Sequence, residues 1–295
     1  MQFKGTGVAL VTPFNTDGSI DESGLRKLVD YQVDNGVDFL VVQGTTGETA
    51  TLNLEEKNHV LEIVIQQNKG RIPVVLGIAD NNTAALVKEI ADFDNDGVDG
   101  FLSASPHYNK PSQRGIIAHF EAIAKVSKKP VILYNVPGRT ASNMTAETTL
   151  ALSKIDNIVG VKEASGNLEQ VMQILKGAPA DFAVLSGDDA LAFSIAALGG
   201  HGVISVVANA FPKEFSTMMN SVLNGDLSTA KKHHFEVLEI TNHFFAEGNP
   251  SGVKYCLDLL GICKETVRLP LTTISDELKV NMKQELNKIE LISKQ

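Results

Sequence analysis

The sequence predicts a (β/α)8 barrel, an α/β fold, followed by a C-terminal helical extension, and three observations carry that expectation. Eight short runs rich in Val, Ile and Leu recur along the chain without polar alternation, as strands buried on both faces do. Segments with helical periodicity and helix-start signals separate them. The first run ends in Thr12-Pro13-Phe14, where the competing open doubly wound sheet would offer a Gly-x-Gly-x-x-Gly turn.

The runs cover residues 8–12, 39–44, 73–78, 100–105, 130–135, 158–164, 182–187 and 202–207. Between them, Asn53-Leu54-Glu55-Glu56 has the form of a capping box, Thr145 is an N-cap candidate and Asp21-Glu22 opens the first helix. Gly36, Gly70 and Gly97 supply left-handed stops before the next strands. Residues 1–225 read as the barrel, and 226–295 as helices packed on it, one continuous unit without a linker-like break.

The 295 residues carry a net charge of −9, which argues against nucleic acid or an anionic membrane as the main partner. The N-terminus shows no signal-peptide pattern and no apolar run reaches membrane-spanning length. Cys256 and Cys263 lack a metal-ligand pattern, and they read as reduced core thiols of a cytoplasmic protein. The seven histidines share no ligand spacing on a helix face, so no metal is expected.

Chemistry in such a barrel gathers at the C-terminal strand ends. Lys162 lies near the end of the sixth run, and alternation places it on one face with Ile158 and Gly160, opposite Val159 and Val161. Burial disfavours an ammonium and favours the free amine that attacks a ketone to form a Schiff base. A strand-end lysine that snorkels to water is the plain alternative. In the fifth run Tyr134 shares a face with Ile132 and points into the barrel mouth if Val131 and Leu133 face the helices. A phenol there can shuttle protons. Arg139, just beyond, offers a planar fork for a carboxylate, or a surface ion pair with a helix acid.

Gly44-Thr45-Thr46-Gly47-Glu48 makes an anion cradle or simply a Gly/Thr turn. Tyr108, between Pro106 and Pro111, suits a site, a subunit contact or plain packing. Asp188-Asp189 reads as a turn with a helix N-cap rather than a metal site.

These segments occur in order with Tyr108-Asn109-Lys110-Pro111, Tyr134-Asn135-Val136-Pro137-Gly138-Arg139-Thr140, Gly160-Val161-Lys162-Glu163-Ala164, Ser186-Gly187-Asp188, Gly200-His201-Gly202-Val203-Ile204-Ser205 and Arg268-Leu269-Pro270-Leu271. Over essentially its whole length the chain resembles the dihydrodipicolinate synthase/N-acetylneuraminate lyase family of pyruvate aldolases. Gly44–Glu48 and Arg139 favour the synthase branch. The resemblance implies condensation of pyruvate with L-aspartate 4-semialdehyde to 4-hydroxy-tetrahydrodipicolinate, in lysine and diaminopimelate biosynthesis. The alternative within the family is a lyase acting on a sialic acid or a keto-deoxy sugar acid. No cofactor is implied beyond a covalent pyruvate imine on Lys162. By the same resemblance Tyr134 relays protons, and Thr46 links it to Tyr108 reaching in from a neighbouring subunit. Thr45 and Thr46 hold the pyruvate carboxylate, Arg139 binds the second substrate, and main chain at Gly187 and Ile204 completes the pocket. A homotetramer built from two dimers is implied.

The resemblance also implies an effector pocket where lysine inhibits many members. Asn81 and Ala50 fit the regulated pattern. Leu54, Lys57, Ala85 and His107 replace the His, His, Glu and Tyr of strongly inhibited members. Losing an acid and gaining Lys57 repels a cationic amino acid, so weak or absent lysine inhibition is expected.

Overall fold

A computed structural model describes residues 2–289. Eight parallel strands close into a barrel in sequence order: β1 (Gly5–Ala9), β2 (Phe39–Val42), β3 (Val74–Gly77), β4 (Gly100–Ala104), β5 (Val131–Asn135), β6 (Ile158–Glu163), β7 (Ala183–Ser186) and β8 (Gly202–Ser205). The helices between them are α1 (Glu22–Asp34), α2 (Leu54–Asn68), α3 (Thr83–Asp92), α4 (Gln113–Val126), α5 (Pro137–Thr140), α6 (Ala146–Leu152), α7 (Leu168–Gly177) and α8 (Ala192–Ala197). After β8 come α9 (Pro212–Leu223), α10 (Leu227–Ala246), α11 (Ser251–Leu259) and α12 (Asp276–Lys288). The (β/α)8 expectation is met. Among the described residues no helix is long and apolar enough to cross a membrane.

Local chemistry sets the helix starts. Asn53 and Glu56 form the expected capping box of α2, Asp21 caps α1 and Thr145 caps α6 through their side chains. Gly97 departs from expectation. It lies in the loop beyond α3, outside the left-handed region, and a Cβ there would come 2.6 Å from Ile65. Close packing, not helix termination, explains this glycine.

The strands sort their side chains to two cores. Phe39, Val41, Val75, Leu102, Ile132, Ala183, Leu185 and Ile204 fill the barrel interior, plugged at the N-terminal end by Phe3 against Phe39 at 5.7 Å between ring centroids. Val131, Leu133, Val161, Val184 and Val203 face the helices. β1 sits earlier than the apolar run at 8–12 suggests. Gly5–Gly7 pair with β8, and a Cβ at Gly7 would fall 2.3 Å from the Phe39 ring. Leu10–Thr12 are apolar or buried because the connecting loop is itself covered.

Simple alternation also fails at the start of β6. Val131 pairs with Ile158 and Ile132 with Gly160, a register shift of one residue. Ile158 therefore joins the outer core with Val161, and Val159 turns towards the interior. Beyond the shift the pairing is regular and sets Tyr134 opposite Lys162.

Candidate active site

β5 and β6 position the central pair. Tyr134 and Lys162 are register partners on the inner face, 7% and 5% exposed. The Lys162 Nζ stands 4.5 Å from the centre of the phenol ring, within cation–π range. The next residues on each strand, Asn135 and Glu163, face outward. The Glu163 carboxylate accepts from Asn135 Nδ2 (3.1 Å), Gln170 Nε2 (3.1 Å) and the Ser165 N–H (2.8 Å). This buried network ties the two strand ends together from behind and fixes the pairing in front.

The pair opens into a cavity of about 620 Å³, lined in part by Thr45, Thr46, Arg139, Gly187, Asp188 and Asp189. A Cβ at Gly187 would come 2.7 Å from the Ala164 Cβ and 3.0 Å from Lys162 Cγ, so only glycine leaves room for the lysine stem. Arg139, carried by α5, is exposed at the rim. The ion pairs found among the described residues do not include it, which disfavours the surface-ion-pair alternative.

Thr45–Gly47 form a 3-10 turn, separated from β2 by Gln43 and Gly44. The Thr12 hydroxyl donates to the Gly47 carbonyl at 2.7 Å, and Asn249 Nδ2 donates to Thr46 Oγ1 at 2.9 Å. Glu48 ends the turn in the left-handed region at φ 54°. Its side chain and that of Lys254 on α11 are wholly buried and paired at 2.5 Å. Lys254 also donates to the Thr266 carbonyl, and the Arg268 N–H donates to Glu48. Burial pulls Lys254 below the usual lysine range, and Glu48 opposes that pull. The cradle is thus anchored to the C-terminal helices.

Two expected contributors lie apart from the pocket lining. Tyr108 is 78% exposed on the loop after β4, its main chain held by Asn81 Oδ1, which accepts from the His107 and Tyr108 N–H groups at 2.8 Å each. Ile204 belongs to the barrel interior, and Val206 lines the cavity in its place. Of the effector-pocket positions, Asn81 reaches His107 Nε2 at 3.2 Å and Leu54 is 70% exposed. Ala50 is exposed at the end of the cradle, Lys57 lies on α2 and Ala85 on α3.

Sequence reasoning missed one wall. Thr241, Asn242, Phe245, Ala246 and Asn249, from α10 and the turn after it, complete the cavity. It also misread Asp189. Asp188 does cap its turn, accepting from the Ala190 and Leu191 N–H groups. Asp189 instead turns inward and accepts from the Val206 N–H at 3.0 Å. Burial pushes its carboxyl up to about 6, against the pull of Ser205, the Val206 and Val207 N–H groups and Lys162. Burial likewise raises both thiols, Cys263 to about 12, which leaves them poor nucleophiles.

Fold and site together define a barrel enzyme with a lysine and a tyrosine paired at the C-terminal strand ends. The chain belongs to the dihydrodipicolinate synthetase family, which it matches over residues 2–289. It is 50% identical over 272 residues to a 4-hydroxy-tetrahydrodipicolinate synthase of Parabacteroides distasonis, covering 92% of each chain. The dihydrodipicolinate synthase structure from Aquifex aeolicus superposes with a TM-score of 0.94 at 39% identity, covering 99% of this chain and 100% of that one. A structure described as the first monomeric dihydrodipicolinate synthase variant gives 0.95 at 35% identity over 98% of each chain.

Proposed function

We infer that the chain condenses pyruvate with L-aspartate 4-semialdehyde to give 4-hydroxy-tetrahydrodipicolinate, a step of lysine and diaminopimelate biosynthesis. The observation that carries this reading is the buried Lys162 amine set against the Tyr134 phenol, in a cavity rimmed by Arg139. The amine adds to the pyruvate ketone and water leaves, giving an imine; loss of a methyl proton then gives the enamine nucleophile. Tyr134 relays these protons. Thr45 and Thr46 hold the pyruvate carboxylate, and the Arg139 guanidinium receives the carboxylate of the second substrate. The chemistry requires no metal or cofactor beyond the covalent adduct, and it belongs in the cytoplasm.

The exposed Tyr108 fits a homotetramer made of two dimers, in which this phenol enters a neighbour's site next to Thr46. The monomeric relative makes that assembly a question for light scattering, in which a dimer or tetramer is expected. Borohydride reduction in the presence of pyruvate tests the function, with a mass increment expected on Lys162. A coupled assay comparing semialdehyde with sugar acids separates the synthase from its sibling lyases. Arg139→Ala should reduce kcat/KM for the semialdehyde on the order of a hundredfold, with pyruvate trapping retained.

A further inference from the structure

Asp189 is a buried carboxylate on the cavity wall that no step above uses. It is 3% exposed, and its Oδ2 accepts from the Val206 and Val207 N–H groups at 3.0 and 3.4 Å. Its Oδ1 is enclosed and has no hydrogen-bond partner among the described residues. Lys162 lines the same cavity and is the charged group that favours the carboxylate, after the Ser205 side chain and the two N–H groups. Capping two N–H groups explains one oxygen but not the charge, because the neutral amide oxygen of an asparagine would accept both bonds. A carboxylate removed from water is costly unless something compensates it.

We propose that Asp189 is a positioning residue whose negative charge balances the cation that forms on the Lys162 nitrogen when it condenses with a keto acid. This rests on the imine reading above. In that condensation the nitrogen lone pair forms the bond to the keto carbon, and a proton passes from nitrogen to the former carbonyl oxygen. That oxygen takes a second proton from the Tyr134 phenol and leaves as water, so one positive charge remains on the C=N nitrogen. The phenolate then removes a methyl proton; the electron pair moves into the new C=C bond, and the nitrogen becomes neutral. A fixed anion on the same cavity wall stabilises the charged imine more than the neutral carbinolamine before it or the neutral enamine after it. It needs no reorganisation, because the N–H groups at the end of β8 already hold it.

Cyanoborohydride trapping of pyruvate on Lys162, followed by intact mass between about pH 5 and pH 8, tests this on wild type and Asp189→Asn. The variant should trap roughly tenfold more slowly at neutral pH, with a raised KM for pyruvate. The wild-type rate should fall as pH drops through about 6, and the variant should lack that limb. The other titratable side chains lining the cavity are Tyr134, Arg139, Lys162 and Asp188, without a histidine. Trapping within twofold of wild type with the same pH profile would overturn the proposal. Should the variant fail to fold, the wild-type profile decides alone, and a rate that stays flat through pH 6 overturns it. Absence of any adduct on wild type removes the imine reading itself, a distinct outcome.

Discussion

Replacing Lys254 with methionine isolates the contribution of the buried pair behind the Thr45–Glu48 turn. The side chains of Lys254 and Glu48 have no solvent exposure, and methionine matches the lysine stem closely enough to leave no large cavity. What disappears is the cation. Glu48 keeps the Arg268 N–H at 2.9 Å, and the Thr266 carbonyl loses a donor at 2.8 Å. An orphaned charge of this kind costs about 3–5 kcal/mol. With an unfolding entropy of roughly 2.1 cal/mol/K per residue, that loss lowers Tm by about 5–8 °C for the 295-residue chain. Urea and thermal unfolding at one fixed protein concentration measure it, since any assembly shifts the midpoint. Adding Glu48→Gln removes the stranded charge and should recover about 2 kcal/mol, a coupling that only contacting groups show. A loss under about 1 kcal/mol for the single variant, or no recovery in the double one, would show that the pair does not anchor the cradle.

Further expectations concern separate parts of the molecule. Gly187→Ala forces a methyl to within 3.0 Å of Lys162 Cγ and should lower kcat/KM on the order of a hundredfold, with circular dichroism unchanged. His119 is held down to about 4, first by burial, with Asp80 opposing. Its folded value lies below its unfolded one, so its contribution is complete above about pH 6.5 and is lost as pH falls towards 4. His119→Gln should flatten the unfolding midpoint across that window in a pH series. Lysine should inhibit weakly or not at all in a coupled assay, and half-inhibition at sub-millimolar lysine would refute the repulsion assigned to Lys57.

The barrel was legible because its strands are buried on both faces, which leaves an apolar signature that local sequence carries. The facing of Lys162 and Tyr134 followed from period-two alternation, and it held because the register slip in β6 falls before Gly160. At Val159 the same rule failed, since a slip depends on the neighbouring strand and leaves no local mark. The wall from α10 and the inward turn of Asp189 were invisible for a related reason. Asn249 meets Thr46 across 203 positions of chain, and whether an aspartate caps its own turn or reaches the next strand depends on the packing around it. A wholly buried lysine on α11 was equally out of reach, since its partner lies 206 positions away.

The doublets Tyr134-Asn135 and Lys162-Glu163 have a consequence for how this enzyme can vary. In each, the first side chain lines the cavity and the second grips the scaffold on the far side of a wall one strand thick. A change at Asn135 or Glu163 would therefore disturb the Tyr134–Lys162 pairing although neither residue lines the pocket. Mutational scans of the front of the site alone would overlook the network that keeps Tyr134 and Lys162 aligned.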